Sequence, residues 1–309
     1  MAVRRYKKMA ALAKIEDTYA VDAEPTAAEA LIMTNVTFTP IEGDEVSRDL
    51  MLPYLGNQGM IITGQYATLS GEIEIAGSGT AGTAPKYDSV LRACGLAQTV
   101  TVDTSVEYEI VEDGEEAASI YFISDKVQHV LLGARGNVSL NFTPKQIPRF
   151  TFTMTGLLGV IEDIVAMPAV TLAGWEKPLP VSKANTTMSL HGWSSVAESL
   201  ALDLGNTVTP RFLIGDELIA ITDRVGTGTA VVEAKSLAEI NWFAAAQDRT
   251  RGALSLVHGK TAGKIVEVSA PAVEIGKPSQ GQTNNIVNYS LPLGLCPVAG
   301  LDELKITVR

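Results

Sequence analysis

Short runs of strict apolar–polar alternation punctuate this chain. Val36-Thr37-Phe38-Thr39, Glu72-Ile73-Glu74-Ile75 and Phe150-Thr151-Phe152-Thr153-Met154 each alternate with period two, the repeat of a strand with one face buried and one solvated. Ser105 to Ile123 predicts a hairpin: Val106, Tyr108 and Ile110 alternate up to a turn at Glu112-Asp113-Gly114-Glu115, and Ile120 and Phe122 lead back. Further on, Ala253 to His258 and Lys264 to Val268 flank a turn at Gly259 to Gly263. Helical periodicity is confined to Asp88–Leu96 and Ser236–Gln247, the second with Ile240, Trp242 and Phe243 on an apolar face. Strands outnumber helices and do not alternate strictly with them, which predicts a mainly β chain of antiparallel sheet with short flanking helices.

The order of these elements repeats. A shift of 149 positions places Leu55-Gly56-Asn57 on Leu204-Gly205-Asn206 and Gly77-x-Gly79-Thr80-Ala81 on Gly226-x-Gly228-Thr229-Ala230, with ten identities over positions 51 to 97. Each Gly-x-Gly-Thr segment precedes a short helix, a hairpin, a Pro-x-Gln element (Pro144-Lys145-Gln146; Pro278-Ser279-Gln280) and a strand with a Leu-Gly stop (Gly156 to Gly159; Leu293-Gly294-Leu295). The pattern predicts two tandem copies of one β-rich domain. The expected boundaries are an N-terminal arm at 1–33, a first domain at 34–165, a Pro-punctuated linker at 166–179 and a second domain at 180–309.

Charge narrows the partners. With 24 basic and 35 acidic residues the net charge is −11, and an acidic chain lacks the Lys/Arg surplus that grips phosphates. Binding nucleic acid is disfavoured, whereas lying beside it without sticking is not. A charged fraction of 19% leaves room for extensive subunit contacts. Cys94 and Cys296 are too few for a disulfide framework or a metal site and read as free thiols. Arg4, Arg5, Lys7 and Lys8 are not followed by an apolar stretch long enough for a secretory leader. The most apolar run, Met154–Gly174, is interrupted by Glu162 and Asp163, so no membrane span is expected.

Candidate chemistry is sparse. Gly77-Ser78-Gly79-Thr80-Ala81-Gly82 has the G-x-G-x-x-G spacing of a dinucleotide loop, with Asp103 about where a ribose-binding carboxylate stands. Thr83-Ala84-Pro85 follows, however, and delays any helix whose amides could face a pyrophosphate. A flexible Gly-rich connection is the better reading. His129, His191 and His258 each lack neighbours at metal spacing, and Ser194 and Ser195 do not sit in a nucleophile elbow. Glu72 and Glu74 share one face of a strand, where a solvated surface explains them better than acid–base catalysis. The turn Glu112, Asp113, Glu115, Glu116 reads as a solvent-exposed loop. The expectation is therefore a non-enzyme with no catalytic, cofactor-binding or metal-ligating residues.

Several segments carry a family resemblance. They are Ala13-Lys14-Ile15-Glu16-Asp17-Thr18-Tyr19, Glu24-Pro25-Thr26, Thr39-Pro40-Ile41-Glu42-Gly43-Asp44-Glu45-Val46-Ser47-Arg48-Asp49, Pro53-Tyr54-Leu55-Gly56, Glu74 to Pro85, and Leu91-Arg92-Ala93-Cys94-Gly95. In this order they resemble the major tail tube proteins of bacteriophages with long, non-contractile tails. The resemblance covers about a third of the chain. It implies tail-tube-like β-sandwich or barrel domains with a flanking helix, whose subunits join edge to edge into stacked rings around a channel for the genome. A duplicated chain would form trimeric rings with pseudo-six-fold symmetry. The implied partners are copies of the chain itself, a tape-measure protein, a tail terminator and tail-tip proteins, with DNA passing through the lumen unbound and the product residing in the virion tail. The family supplies no catalytic residues. The competing class is a β-rich binding module such as an adhesin or a virion decoration protein.

Overall fold

The alternating segments become long antiparallel strands in the computed structural model, which describes residues 3–309. The N-terminal half holds β1 (Met9–Ile15), β2 (Ala30–Leu31), β3 (Thr34–Ser47), β4 (Met60–Glu74), β5 (Leu96–Thr101), β6 (Ser105–Ile110), β7 (Ala118–Ser124), β8 (Val127–Phe142) and β9 (Arg149–Asp163). The C-terminal half holds β10 (Thr186–Leu190), β11 (Trp193–Ser194), β12 (Ala197–Asp203), β13 (Asn206–Leu213), β14 (Asp216–Arg224), β15 (Thr227–Glu233), β16 (Arg251–His258), β17 (Val266–Ile275), β18 (Ser279–Thr283), β19 (Ile286–Cys296) and β20 (Lys305–Val308). Two short helices, α1 (Asp88–Arg92) and α2 (Trp242–Gln247), follow β4 and β15. The chain is mainly β, as its periodicity predicts.

Pairing order is the same in both halves. In the first it runs β3–β4–β9–β8–β7–β1–β2, and in the second β12–β15–β19–β17–β16–β10–β11. β3 and β4 form one long hairpin, with Thr39 opposite Thr68 and Ser47 opposite Met60. The second half builds its long hairpin with a kink: β12 continues into β13 past Gly205, and β14 into β15 past Gly226, with Leu200 opposite Ala230 and Leu213 opposite Asp216. Gly205 has φ +73°, and a Cβ there would lie 2.0 Å from the Val225 carbonyl oxygen, so the kink requires glycine. β17 and β18 are likewise one strand broken at Gly276-Lys277-Pro278, running along β19 as β8 runs along β9.

Two joints weld the halves into an 18-stranded sheet. The distal part of β8 leaves β7 and pairs with β12, Ser139 opposite Asp203 and Phe142 opposite Leu200. β20 bridges β6 and β17. One core runs beneath both halves, including Leu69, Ile73, Phe150, Phe152, Leu140, Leu200, Val232, Leu291, Leu293 and the fully buried Tyr87 and Trp242. Each such large side chain contributes roughly 1.5–3 kcal/mol by leaving water.

Several expectations are corrected. Ser105–Ile123 is not a hairpin: β6 turns back onto β5 and β7 onto β8. Both use tighter turns than the one at 112–115, the second through Asp125-Lys126 at φ 41° and 74°, the geometry of a two-residue hairpin. Met9–Ile15 and Ala30–Leu31, expected as part of an arm, lie in the sheet, with Leu12, Ala13, Ala30 and Leu31 buried. Alanines let β1 lie close against β7, which a reading by polarity misses. The helices are shorter than their periodic segments. The 149-residue shift aligns positions that differ in structure: Leu55-Gly56-Asn57 lies beyond β3, whereas Leu204-Gly205-Asn206 forms the kink. By strand ends, Glu74 corresponds to Glu233, ten positions further along.

Candidate assembly and channel surface

Alternation that buries one face of these strands leaves the other face polar, and register aligns it into rows. One row runs Glu72–Thr151–Ser139–Asp203–Thr227 across five strands and both halves. Its neighbour runs Glu74–Arg149–Asn141–Ala201–Thr229, and Ser70 and Thr153 are opposed with their hydroxyls 3.4 Å apart. Short hydroxyl and amide side chains make up most of this face. Its charged groups are Glu72, Glu74, Asp203 and Glu233, with Arg149, whose Nη1 donates to Glu72 Oε2 at 2.8 Å, and Lys235, whose Nζ donates to Glu233 Oε1 at 2.5 Å; Lys145 lines the same recess as Glu72 and Arg149. At the joint, Asn137 Nδ2 donates to Asp203 Oδ1 at 2.7 Å and the Asn206 N–H donates to Asn137 Oδ1 at 3.0 Å. Alternation alone places Glu72 and Glu74 on this face, whereas the rows depend on register.

The outer parts of the two long hairpins differ in their surroundings. The β13–β14 end lies against the first half: Phe212 stacks on Tyr66 with centroids 6.5 Å apart. The Ile219 N–H donates to Tyr19 Oη at 2.6 Å, and Arg135 Nη1 donates to the Ile219 carbonyl at 3.0 Å while its guanidinium sits 5.2 Å from the Tyr19 ring centroid. Burial raises the Tyr19 pKa above its ordinary value. The β3–β4 end projects into solvent and carries Val46, Tyr54, Met60, Ile61 and Ile62 exposed, with Met51 and Leu55 wholly so. A run of exposed large apolar side chains marks an interaction surface.

The acidic turn is not a free loop. Arg92 pairs with Glu116, Arg135 Nη1 lies 3.7 Å from Glu115, and Arg224 of β14 reaches Glu112 at 3.2 Å and Glu303 at 2.9 Å. Glu112 thus helps hold the second half to the first while Glu115 and Glu116 pair within the first, roles that spacing along the chain cannot reveal. The Gly77–Gly82 loop is also structural: the Gly79 N–H donates to the Gly263 carbonyl at 2.8 Å, so the glycines allow backbone to touch backbone between the halves. Ser194 and Ser195 line an open cleft of about 620 Å³ with Phe142, Val181, Met188, Leu200 and Leu256, and no acid or histidine joins them there. Among the described residues no three His, Cys, Asp or Glu side chains cluster as a metal site. Cys94 is buried beside Met154 and Cys296 is half-buried, and both are free.

The histidines pack. His191 Nε2 lies 2.8 Å from the Val273 carbonyl, and His129 stacks edge-on against Phe38. His258 is buried against Phe142, with Nδ1 2.8 Å from Thr186 Oγ1. Burial holds the pKa values of His258 and His129 below the ordinary histidine value. The unfolded chain therefore takes up protons that the fold refuses. This contribution to stability is complete above the unfolded pKa of about 6.5 and is lost progressively as pH falls below it. Calorimetry between pH 7 and 5 is expected to show a smaller fall in melting temperature for His258→Gln than for the parent chain; equal slopes would refute the role.

The matching family description is "Phage tail tube protein", over residues 7–293. The chain belongs to the phage tail tube protein family, a structural family, and is a component of the virion tail. Among curated proteins, none matches it. Among the described residues no helix is long and apolar enough to cross a membrane.

Proposed function

We propose that the chain is the major tail tube subunit, duplicated within itself, whose copies close into trimeric, pseudo-hexameric rings that stack around a negatively charged channel for the genome. The observation that carries this reading is the polar face that crosses from β4 to β15 without a break at the joint between the halves. A hexameric ring of single-domain subunits needs such a face to continue from subunit to subunit; here one chain continues it from half to half. The shared pairing order supports two copies of one domain, 34–165 and 180–309, with β1 and β2 completing the first.

Chemistry supports the channel role. Threonine, serine and asparagine offer neutral, short side chains, and Glu72, Glu74, Asp203 and Glu233 outnumber Arg149, Lys145 and Lys235, a small negative excess that acts on phosphates within a Debye length of about 8–10 Å. DNA would slide along this wall without adhering. A tape-measure protein would fill the channel before the genome does, and tail-tip and terminator proteins would cap its ends. Negative-stain electron microscopy of the concentrated full chain is expected to show hollow tubes, or rings of three bilobed subunits. Uniform single particles at every concentration, also with tail-tip complexes added, would overturn the reading in favour of a binding module.

A further inference from the structure

The joint between the two halves is a template for the joint between two copies. In the first half, the edge of β8 that pairs with β7 over residues 127–134 goes on to pair with β12 over 139–142. In the second half, the same edge pairs β17 with β16 over 266–274, but its continuation, β18, pairs with β19 alone. At the other end of the sheet, β3 corresponds to β12 and pairs with β4 alone. Each half therefore has the same two edges. One of each meets inside the chain, and one of each is left over.

Each leftover edge offers a short unblocked stretch. β18 reads Ser-Gln-Gly-Gln-Thr, wholly exposed, and the start of β3 reads Thr-Asn-Val-Thr-Phe-Thr. Natural edge strands carry lysine, proline or a bulge to block pairing with another chain; β18 has none of these within it, and β3, bulged at Thr34–Thr37 and Thr39–Glu42 and holding Pro40, keeps Thr37–Thr39 regular between them. We propose that β3 of one copy adds antiparallel to β18 of the next, with Thr39 opposite Ser279 and Thr37 opposite Gly281. The register follows from the internal joint. Counted through the β3–β4, β4–β9 and β9–β8 pairings and their counterparts, Asp203 occupies the place of Thr39, and its partner Ser139 occupies the place of Ser279. The inward side chains agree, since Val36 and Phe38 stand where Leu200 and Leu202 fill the core. Pro40 and Pro278 lack the N–H groups to extend the ladder and bound the paired segment. Lys277 stands at the place of Asn137, and Glu42 within one residue of that of Asn206, so opposite charges meet where two asparagines touch inside the chain.

This assignment rests on the ring reading above, and cross-linking separates the two. The full chain carrying Cys296→Ser, Thr39→Cys and Ser279→Cys, with the buried Cys94 retained, is assembled under reducing conditions, checked by microscopy and then oxidised. Directly opposed antiparallel residues hold their Cα atoms about 4.5–5.5 Å apart, inside the span a disulfide bridges. The expected result is conversion of the monomer band into a ladder ending in a closed ring on a non-reducing gel. A second in-register pair, Thr37→Cys with Gly281→Cys, is expected to behave likewise, and Thr39→Cys with Thr283→Cys, four residues out of register, to link at least about tenfold less. Tubes in which neither in-register pair links would overturn this pairing and leave the ring reading standing. A parent chain that forms no ring or tube would overturn both.

Discussion

Replacing Gly77 with valine is expected to cost the fold at least ~3 kcal/mol, the upper end of what overpacking does to a packed interior. A Cβ at this position would lie 2.1 Å from the Gly263 carbonyl oxygen and 2.7 Å from Lys264 Cα. Both are backbone atoms, so no rotamer change can make room. Moving the two loops apart would break the hydrogen bond from Gly79 to Gly263 and strain the adjacent pair between Lys264 Nζ and Glu176 Oε2, 2.6 Å apart. These loops lie where the first half meets the second, so the damage falls on the contact between halves rather than on either core. A urea titration followed by fluorescence is expected to show an earlier midpoint and a broadened or divided transition. Gly294→Val is the control, because the nearest atom to a Cβ there is 3.9 Å away. An unchanged midpoint for Gly77→Val would show that the halves do not depend on this contact.

That glycine loop also shows where sequence reasoning reached and where it stopped. The spacing of Gly77, Gly79 and Gly82 fits a phosphate cradle, and rejecting it needed only Pro85 and the missing helix start. What the glycines are for could not be read, since their partner Gly263 lies far along the chain. The same holds for Glu112, Glu115 and Glu116, which read as a solvated turn until Arg92, Arg135 and Arg224 are brought to them. Alternation was legible because it is local: Ile73 and Phe152 point inward as their period requires. Strand partners were not. Val106–Ile110 has the right pattern for a strand, yet nothing in it favours β5 and β20 over the segment that follows. The candidate site shares this limit. Thr151, Ser139 and Thr227 are unremarkable residues until register sets them in one row, and a surface made of rows leaves no motif.

Removing the tip of the β3–β4 hairpin, residues 48–59, in favour of a two-residue Asn-Gly turn is expected to abolish tube growth while leaving the chain folded. The deleted segment holds Met51 and Leu55 wholly exposed and Tyr54 largely so, and none of its side chains belongs to either buried cluster. Its loss therefore takes little from the core, and the shortened turn suits the twist of the flanking strands. The melting temperature is expected to stay within a few degrees of the parent's, given the small cost of surface changes. Assembly should respond quite differently. Burying large apolar side chains against a neighbour contributes roughly 25 cal/mol per Å², and every subunit would forfeit that gain at each contact it makes. The strands behind the tip of the second hairpin show what apolar side chains do when they have a partner, with Phe212 on Tyr66 and Ile219 buried beneath Tyr19 and Arg135, while Leu213 and Ile214 at its own tip stay exposed. Sedimentation and microscopy of the shortened chain should then find subunits or isolated rings and no tubes. Tubes of normal length would mean that the exposed tip serves some other contact, and that stacking relies on the strand ends alone.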